Sequence, residues 1–318
     1  TQIKKCTEYD QAALFSITKK AKKFTLSHEF SPPSDLENKP LLRQAQLVAQ
    51  KFKEKILLDR KNSFVSKPQH GVFFRQMTEN DANTKDSLAW LGKCHMSPQS
   101  ESYICGMQEL AIFTRWHEMH LLKKIDNDKC RVCKKEAETT FHILAGCDTL
   151  AKKEYLDRHN CVAKYLHHQI CSAYNIHTAK KWHEHNPPEV IMNTNVELIW
   201  DMLLTTDRNV GANRPDIVIR DKRKNKVFII DVSCPSDVNV EKKENEKLSK
   251  YSALRVELGK MWKSECVVIP IVVGGLGTVS TNLNKYLKMI PGGPSVIMCV
   301  KLTLLGSEKI MRSVLSRK

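Results

Sequence analysis

Two sets of residues in this 318-residue chain have the types and spacing to do chemistry. The first is Asp216 and Asp231, the second and last residues of the segment PDIVIRDKRKNKVFIID. Hard divalent cations such as Mg2+ take oxygen ligands, and metal-assisted phosphodiester cleavage needs carboxylates converging on one point. The second is Cys130-x2-Cys133-x8-His142-x4-Cys147. Three thiolates and one imidazole match a closed tetrahedral Zn2+ site with no position left for a catalytic water, so this metal would hold a fold rather than hydrolyse a bond. The competing reading is burial of small apolar cysteines, with His142 a core histidine beside Phe141.

A β-hairpin must position the two aspartates. Strands are expected at Ile217–Arg220 and Val227–Val232, joined by the charged turn 221–226, and antiparallel pairing brings the start of one and the end of the other together. In the common version of such a site a lysine follows the second acid by two positions, where this chain has Ser233. Lys247 and Lys250, three apart on a charged helix expected over 240–263, share a face that can supply the charge instead; Lys243 is a weaker choice. Asp207, just upstream, is a third carboxylate or a structural hydrogen-bonding group, Glu197 is a more distant option, and Tyr251 is either a core aromatic or a phosphate-contacting hydroxyl. Each residue alone has a bland alternative: a turn aspartate after Pro215, a strand-end carboxylate, or lysines paired with Glu244 and Glu246. The constellation is what points to a nuclease.

Around these sites the sequence suggests four regions. Residues 1–125 read as a basic, mainly helical linker, with a loop over 30–39 at Pro32 and Pro33 and basic clusters at Lys19, Lys20, Lys22 and Lys23 and at Arg43, Lys51, Lys53 and Lys55. Within it, Ile104, Met107, Leu110, Ala111, Thr114 and Leu121 recur at helical spacing over 103–122. Residues 126–190 hold the Cys/His cluster and a helix reaching about Tyr174, then a polar stretch in which Pro187 and Pro188 mark a boundary. Residues 191–290 form the nuclease-like core: a helix over 196–204, the hairpin, the charged helix, a strand over 266–273 ended by Gly274 and Gly275, and a helix over 280–289. Residues 291–318 read as a basic tail. The fold class expected is α+β or α/β, a mixed sheet flanked by helices in a nuclease-like core.

Charge and cysteine usage fit that reading. A net charge of +16 favours a phosphate-backbone partner bound with strong salt dependence. Eleven cysteines without a signal peptide suggest a reducing compartment, and no apolar run approaches the roughly 20 residues a bilayer demands, so a soluble protein is expected. The chain starts at Thr1, consistent with a piece of something longer.

Taken together, CRVCKKEAETTFHILAGC, RPDIVIRDKRKNKVFIIDVSCPSD and EKLSKYSALRVELGKMW resemble the carboxy-terminal part of non-LTR retrotransposon polyproteins with a restriction-like endonuclease, the R-two group. HGVFFRQ, SLAWL, VIPIVVGGLGTVS and KLTLLGSEKIMRSVL extend the resemblance over most of the chain. It implies a PD-(D/E)xK restriction-like endonuclease core, zinc ligands at Cys130, Cys133, His142 and Cys147, nuclease acids at Asp216 and Asp231 holding Mg2+, and the displaced lysine at Lys247 or Lys250. It further implies nicking of duplex target DNA in the nucleus, binding of the element's RNA, and an upstream reverse transcriptase primed by the nick. The polymerase's paired aspartates are absent, since no two aspartates adjoin anywhere in the chain. A zinc-knuckle module that binds nucleic acid without cutting it, its nuclease core decayed, is the rival expectation.

Overall fold

The segment Lys226–Ser233 explains the architecture around it. Its apolar residues do not alternate with polar ones: Phe228, Ile230 and Val232 join one core and Val227 and Ile229 another. A strand reads that way when apolar layers cover both of its faces. The computed structural model describes residues 41–67 and 70–317, and there this segment lies inside a five-stranded mixed sheet. In order the strands are β1 (Val190–Met192), β2 (Val196–Trp200), β3 (Ile217–Asp221), β4 (Lys226–Ser233) and β5 (Glu265–Val272). The first four form an antiparallel meander, and β5 pairs parallel to β4.

Among the described residues there are twelve α-helices. They are α1 (Leu41–Val65), α2 (Val72–Glu79), α3 (Thr84–Leu88), α4 (Trp90–Lys93), α5 (Pro98–Gln108), α6 (Arg115–His120), α7 (Asp148–Ala151), α8 (Glu154–Ala173), α9 (Val240–Lys250), α10 (Ser252–Met261), α11 (Leu283–Met289) and α12 (Val296–Leu315). The chain divides into two units, 1–67 and 68–318. In the first, α1 is the expected basic helix, with Arg43, Lys51 and Lys53 exposed along it. The cluster at Lys19 to Lys23 and the loop at Pro32 and Pro33 lie outside the described residues. No described helix is long and apolar enough to cross a membrane.

The second unit holds the sheet, the Cys/His cluster and the remaining helices around a shared core. Leu150, Val162 and Leu166 pack in the same cluster as Ile217 and Ile230. Pro187 and Pro188 fall inside this unit. Parallel pairing of β4 and β5 needs a long crossover, which α9 and α10 supply.

Four expectations need correction. Residues 196–204 are not a helix: Val196–Trp200 is β2, sending Val196 and Leu198 to one core and Ile199 to the other. Glu197 faces Arg220 across the ladder, 3.2 Å away; over so few residues periodicity alone does not separate helix from strand. The charged helix is two helices, broken at Tyr251, whose buried side chain turns to Asp231. The segment 103–122 is also broken. Leu110 takes φ 53, and Thr114 starts a new helix in a capping box with His117, leaving Phe113 and Leu121 exposed. Finally, 291–318 is no tail: α12 buries Cys299, Val300, Leu304, Ile310, Met311 and Val314, because its basic residues leave an apolar stripe intact.

Arg158 fixes the register of α8. Its side chain is fully buried, donating from Nη1 to Ser307 Oγ at 2.8 Å and from Nη2 to the carbonyls of Leu144 and Cys234, both at 2.9 Å. Those partners lie beside the Cys/His cluster, just past β4 and on α12. Gly306 makes room, since a Cβ there would stand 2.6 Å from Arg158 Cγ.

Candidate metal centre and acidic site

The four knuckle residues come together through turns. Lys129 and Ala137 form an antiparallel bridge, so the chain doubles back after Cys130 and Cys133, with Lys134 at φ 61 closing the turn. A single π-helical turn, His142–Gly146, presents His142, and Cys147 follows it. The ligand atoms of Cys130, Cys133, His142 and Cys147 all lie within 4.8 Å of one another, and Cys133 Sγ is 3.3 Å from His142 Nε2. The arrangement is compatible with a zinc site. Burial holds the His142 imidazole below its ordinary pKa, keeping it neutral as ligation requires. For Cys133 burial acts upward, but the backbone N–H groups of Glu136 and Lys135 bring the thiol below its ordinary value. Burial raises Cys130 to about 11, a group that a cation would draw toward thiolate.

Around the cluster the frame is tied by charge and hydrogen bonds. Glu138 accepts from the backbone N–H groups of Arg115 at 3.0 Å and Arg131 at 2.8 Å, and from Arg131 Nη2 at 2.7 Å. Tyr155 from α8 donates its hydroxyl to the Ile143 carbonyl at 2.8 Å and accepts from the Cys147 N–H at 3.0 Å.

The acidic site assembles from three parts of the fold. Ile217 pairs with Ile230, so Asp216 and Asp231 stand one step beyond, on the face of Val218 and Ile229 that α9 and α10 cover. Asp231 is almost wholly buried, its side chain 4 % exposed. Lys247 forms an ion pair with its Oδ2, while the Tyr251 hydroxyl donates to Oδ1 at 2.5 Å. Lys250 Nζ lies 3.9 Å from the same Oδ1 and donates to the Tyr251 hydroxyl at 2.8 Å. Burial and the adjacent Asp231 both push the Tyr251 phenol well above its ordinary pKa, so it stays a donor.

Asp216 is more open. Its Oδ2 accepts from the Val232 N–H at 2.6 Å and meets His159 Nε2 at 3.0 Å; Oδ1 takes neither bond. Burial opposes protonation of His159, but the Asp216 carboxylate outweighs it and lifts the imidazole above its ordinary pKa.

The structure thus brings Asp216, Asp231, Lys247 and Lys250 to one end of the sheet. Lys243 instead pairs with Glu246, and Glu244 is bound by Ser280 at 2.5 Å and Asn282 at 2.9 Å, so neither glutamate occupies the two central lysines. Asp207 is exposed in a loop, and Glu197 is paired with Arg220. His159 was not anticipated. It lies far upstream on α8, and no local spacing links it to Asp216; only the packing of α8 against the sheet does.

Comparison of the chain with protein-family models and with curated protein sequences gives no match.

Proposed function

We propose that the chain is the Mg2+-dependent DNA endonuclease segment of a non-LTR retrotransposon polyprotein of the R-two group. It would nick duplex target DNA in the nucleus, exposing the 3′ hydroxyl from which an upstream reverse transcriptase copies the element's RNA. One observation carries the reading: Asp216, Asp231, Lys247 and Lys250 converge at one sheet end although they come from the residue before β3, from β4 and from a helix.

The donor types suit a hard cation, because two carboxylates come from adjoining ladder positions and one oxygen of Asp216 takes none of that residue's hydrogen bonds. A divalent ion held there would neutralise the scissile phosphate and acidify a bound water. The protein's own groups do the rest. Lys247 offers a desolvated positive charge to the phosphoryl group as negative charge builds. Lys250, 43 % exposed, is placed to meet the incoming backbone. Tyr251 and His159 are positioning residues, each fixing one aspartate. The knuckle, with Zn2+ in Cys130, Cys133, His142 and Cys147, and the excess of basic residues would grip DNA and RNA.

The purified chain is expected to nick duplex DNA with Mg2+, and Asp216→Asn or Asp231→Asn to abolish nicking while the protein stays folded. One observation favours a non-catalytic nucleic-acid-binding module instead: Lys247 already neutralises the buried Asp231 without a cation, and Tyr251 bonds its Oδ1. Steeply salt-dependent binding with no metal-dependent cleavage would establish that alternative.

A further inference from the structure

A second group of metal-type donors lies on the other half of α8. His167 and Cys171 are four residues apart and so share one helix face, while His185 arrives from the loop beyond Tyr174, just after the short 3-10 turn Trp182–Glu184. All three are buried, and their donor atoms lie within 4.8 Å of one another. His167 Nδ1 is 2.7 Å from His185 Nε2 and 3.5 Å from Cys171 Sγ.

Hydrogen bonding alone does not account for this meeting. A neutral imidazole nitrogen has one in-plane position: it either donates one proton or accepts one. His167 Nδ1 nevertheless faces both a second imidazole and a thiol, so one of the two partners goes without a proper bond. A cation placed among them uses all three lone pairs at once. The residue types agree, since imidazole and thiolate are the borderline-soft donors that Zn2+ prefers over Mg2+ or Ca2+. With Zn–N near 2.1 Å and Zn–S near 2.3 Å, tetrahedral donors stand roughly 3.3–3.7 Å apart, so the two imidazoles need to part by only about half an ångström. His168 lies nearby, outside the group of three. Its ring is 5.5 Å from that of His185, and its Nδ1 is buried without a partner.

We propose that His167 Nδ1, Cys171 Sγ and His185 Nε2 form a second Zn2+ site, separate from the knuckle. It would clamp the loop 174–185 onto α8, beside the edge-on contact of His167 with Trp200 of β2. The proposal stands apart from the nuclease reading, because its ligands neither touch the two aspartates nor depend on cleavage.

The test is zinc stoichiometry of the whole chain, measured by elemental analysis after dialysis against a weak chelator. Two ions per chain are expected, falling to one in Cys171→Ala and to one in His185→Gln, whose changed residue lies outside α8. The Cys130→Ser/Cys133→Ser variant should also hold one. Reconstituted with Co2+, that variant should give a tetrahedral spectrum with the thiolate charge-transfer intensity of one sulfur. A single zinc in the unaltered chain overturns the proposal even if every variant fails to fold. Two ions retained in both Cys171→Ala and His185→Gln overturn it as well, since the second would then lie elsewhere.

Discussion

The knuckle and the acidic site are built in opposite ways. All four knuckle residues lie between 130 and 147, brought together by a bridge, a left-handed turn residue and one π-helical turn. The acidic site draws His159 from α8, Asp216 and Asp231 from the strands, and Lys247 and Lys250 from α9. The knuckle residues meet through local spacing, with Tyr155 and Arg158 of α8 bracing the turn that carries them. The acidic site follows from register. Sliding β3 by one residue against β4 would send Asp216 to the opposite face of the sheet.

That contrast can be pressed hardest at the lysines, where the distributed site depends on a single helix face. Lys247→Met should lower nicking on the order of 10²-fold, the scale for removing one preorganised charge from a developing anion. It should also cost about 3 kcal/mol of stability, because buried Asp231 loses its ion-pair partner. Lys250→Met should slow nicking less than about tenfold and leave the melt nearly unchanged, its ammonium being much more exposed. Nicking rates and urea melts on the same preparations would check both, and equal effects from the two substitutions would undo the ranking.

Arg158 is where the two regions meet, so it tests whether they are energetically separate. Arg158→Met keeps the volume of the stem but strands the carbonyls of Leu144 and Cys234, while the Ser307 hydroxyl keeps its bond to the Gly275 carbonyl. With each buried group left unbonded costing about 1–3 kcal/mol and some relaxation expected, a loss of about 2–3 kcal/mol follows. The urea midpoint should fall with its slope unchanged. Zinc retention and nicking should decline together as the protein loosens; loss of one with the other intact would show that the regions do not share this anchor.

How much of this was legible follows the same division. The knuckle and the β3–β4 hairpin could be read directly, one from ligand spacing and the other from apolar runs around a charged turn. The hairpin and lysine geometry around Asp231 was also within reach, because Lys247 and Lys250 share a helix face whatever that helix packs against. β2 was misread since five residues do not separate the two periods, and its partner Arg220 lies in another strand. The break at Tyr251 carries no Pro or Gly; it accompanies a tertiary hydrogen bond to Asp231. His159 had no visible signal, and His167 and Cys171 had only their four-residue spacing, because each needs α8 to be packed before its distant partner is known.

A smaller loss of stability than at Lys247 or Arg158 is expected from the charge frame around the Cys/His cluster. Burial of Glu138 acts to raise its pKa, but the Arg131 guanidinium and the N–H groups of Arg131 and Arg115 prevail and hold it below the ordinary carboxylate range. Its folded value therefore lies under its unfolded value, near 4.3. The stabilisation is full above that unfolded value and is lost as pH falls through the lower folded one. Glu138→Gln keeps one acceptor oxygen but not the ion pair, so it should cost about 1–2 kcal/mol at neutral pH. The gap from the unaltered protein should close on acidification, measured by urea melts from pH 7 down to about pH 3. A gap that stays constant across that range would mean the bracing is steric, and the knuckle would then owe its frame to turns alone.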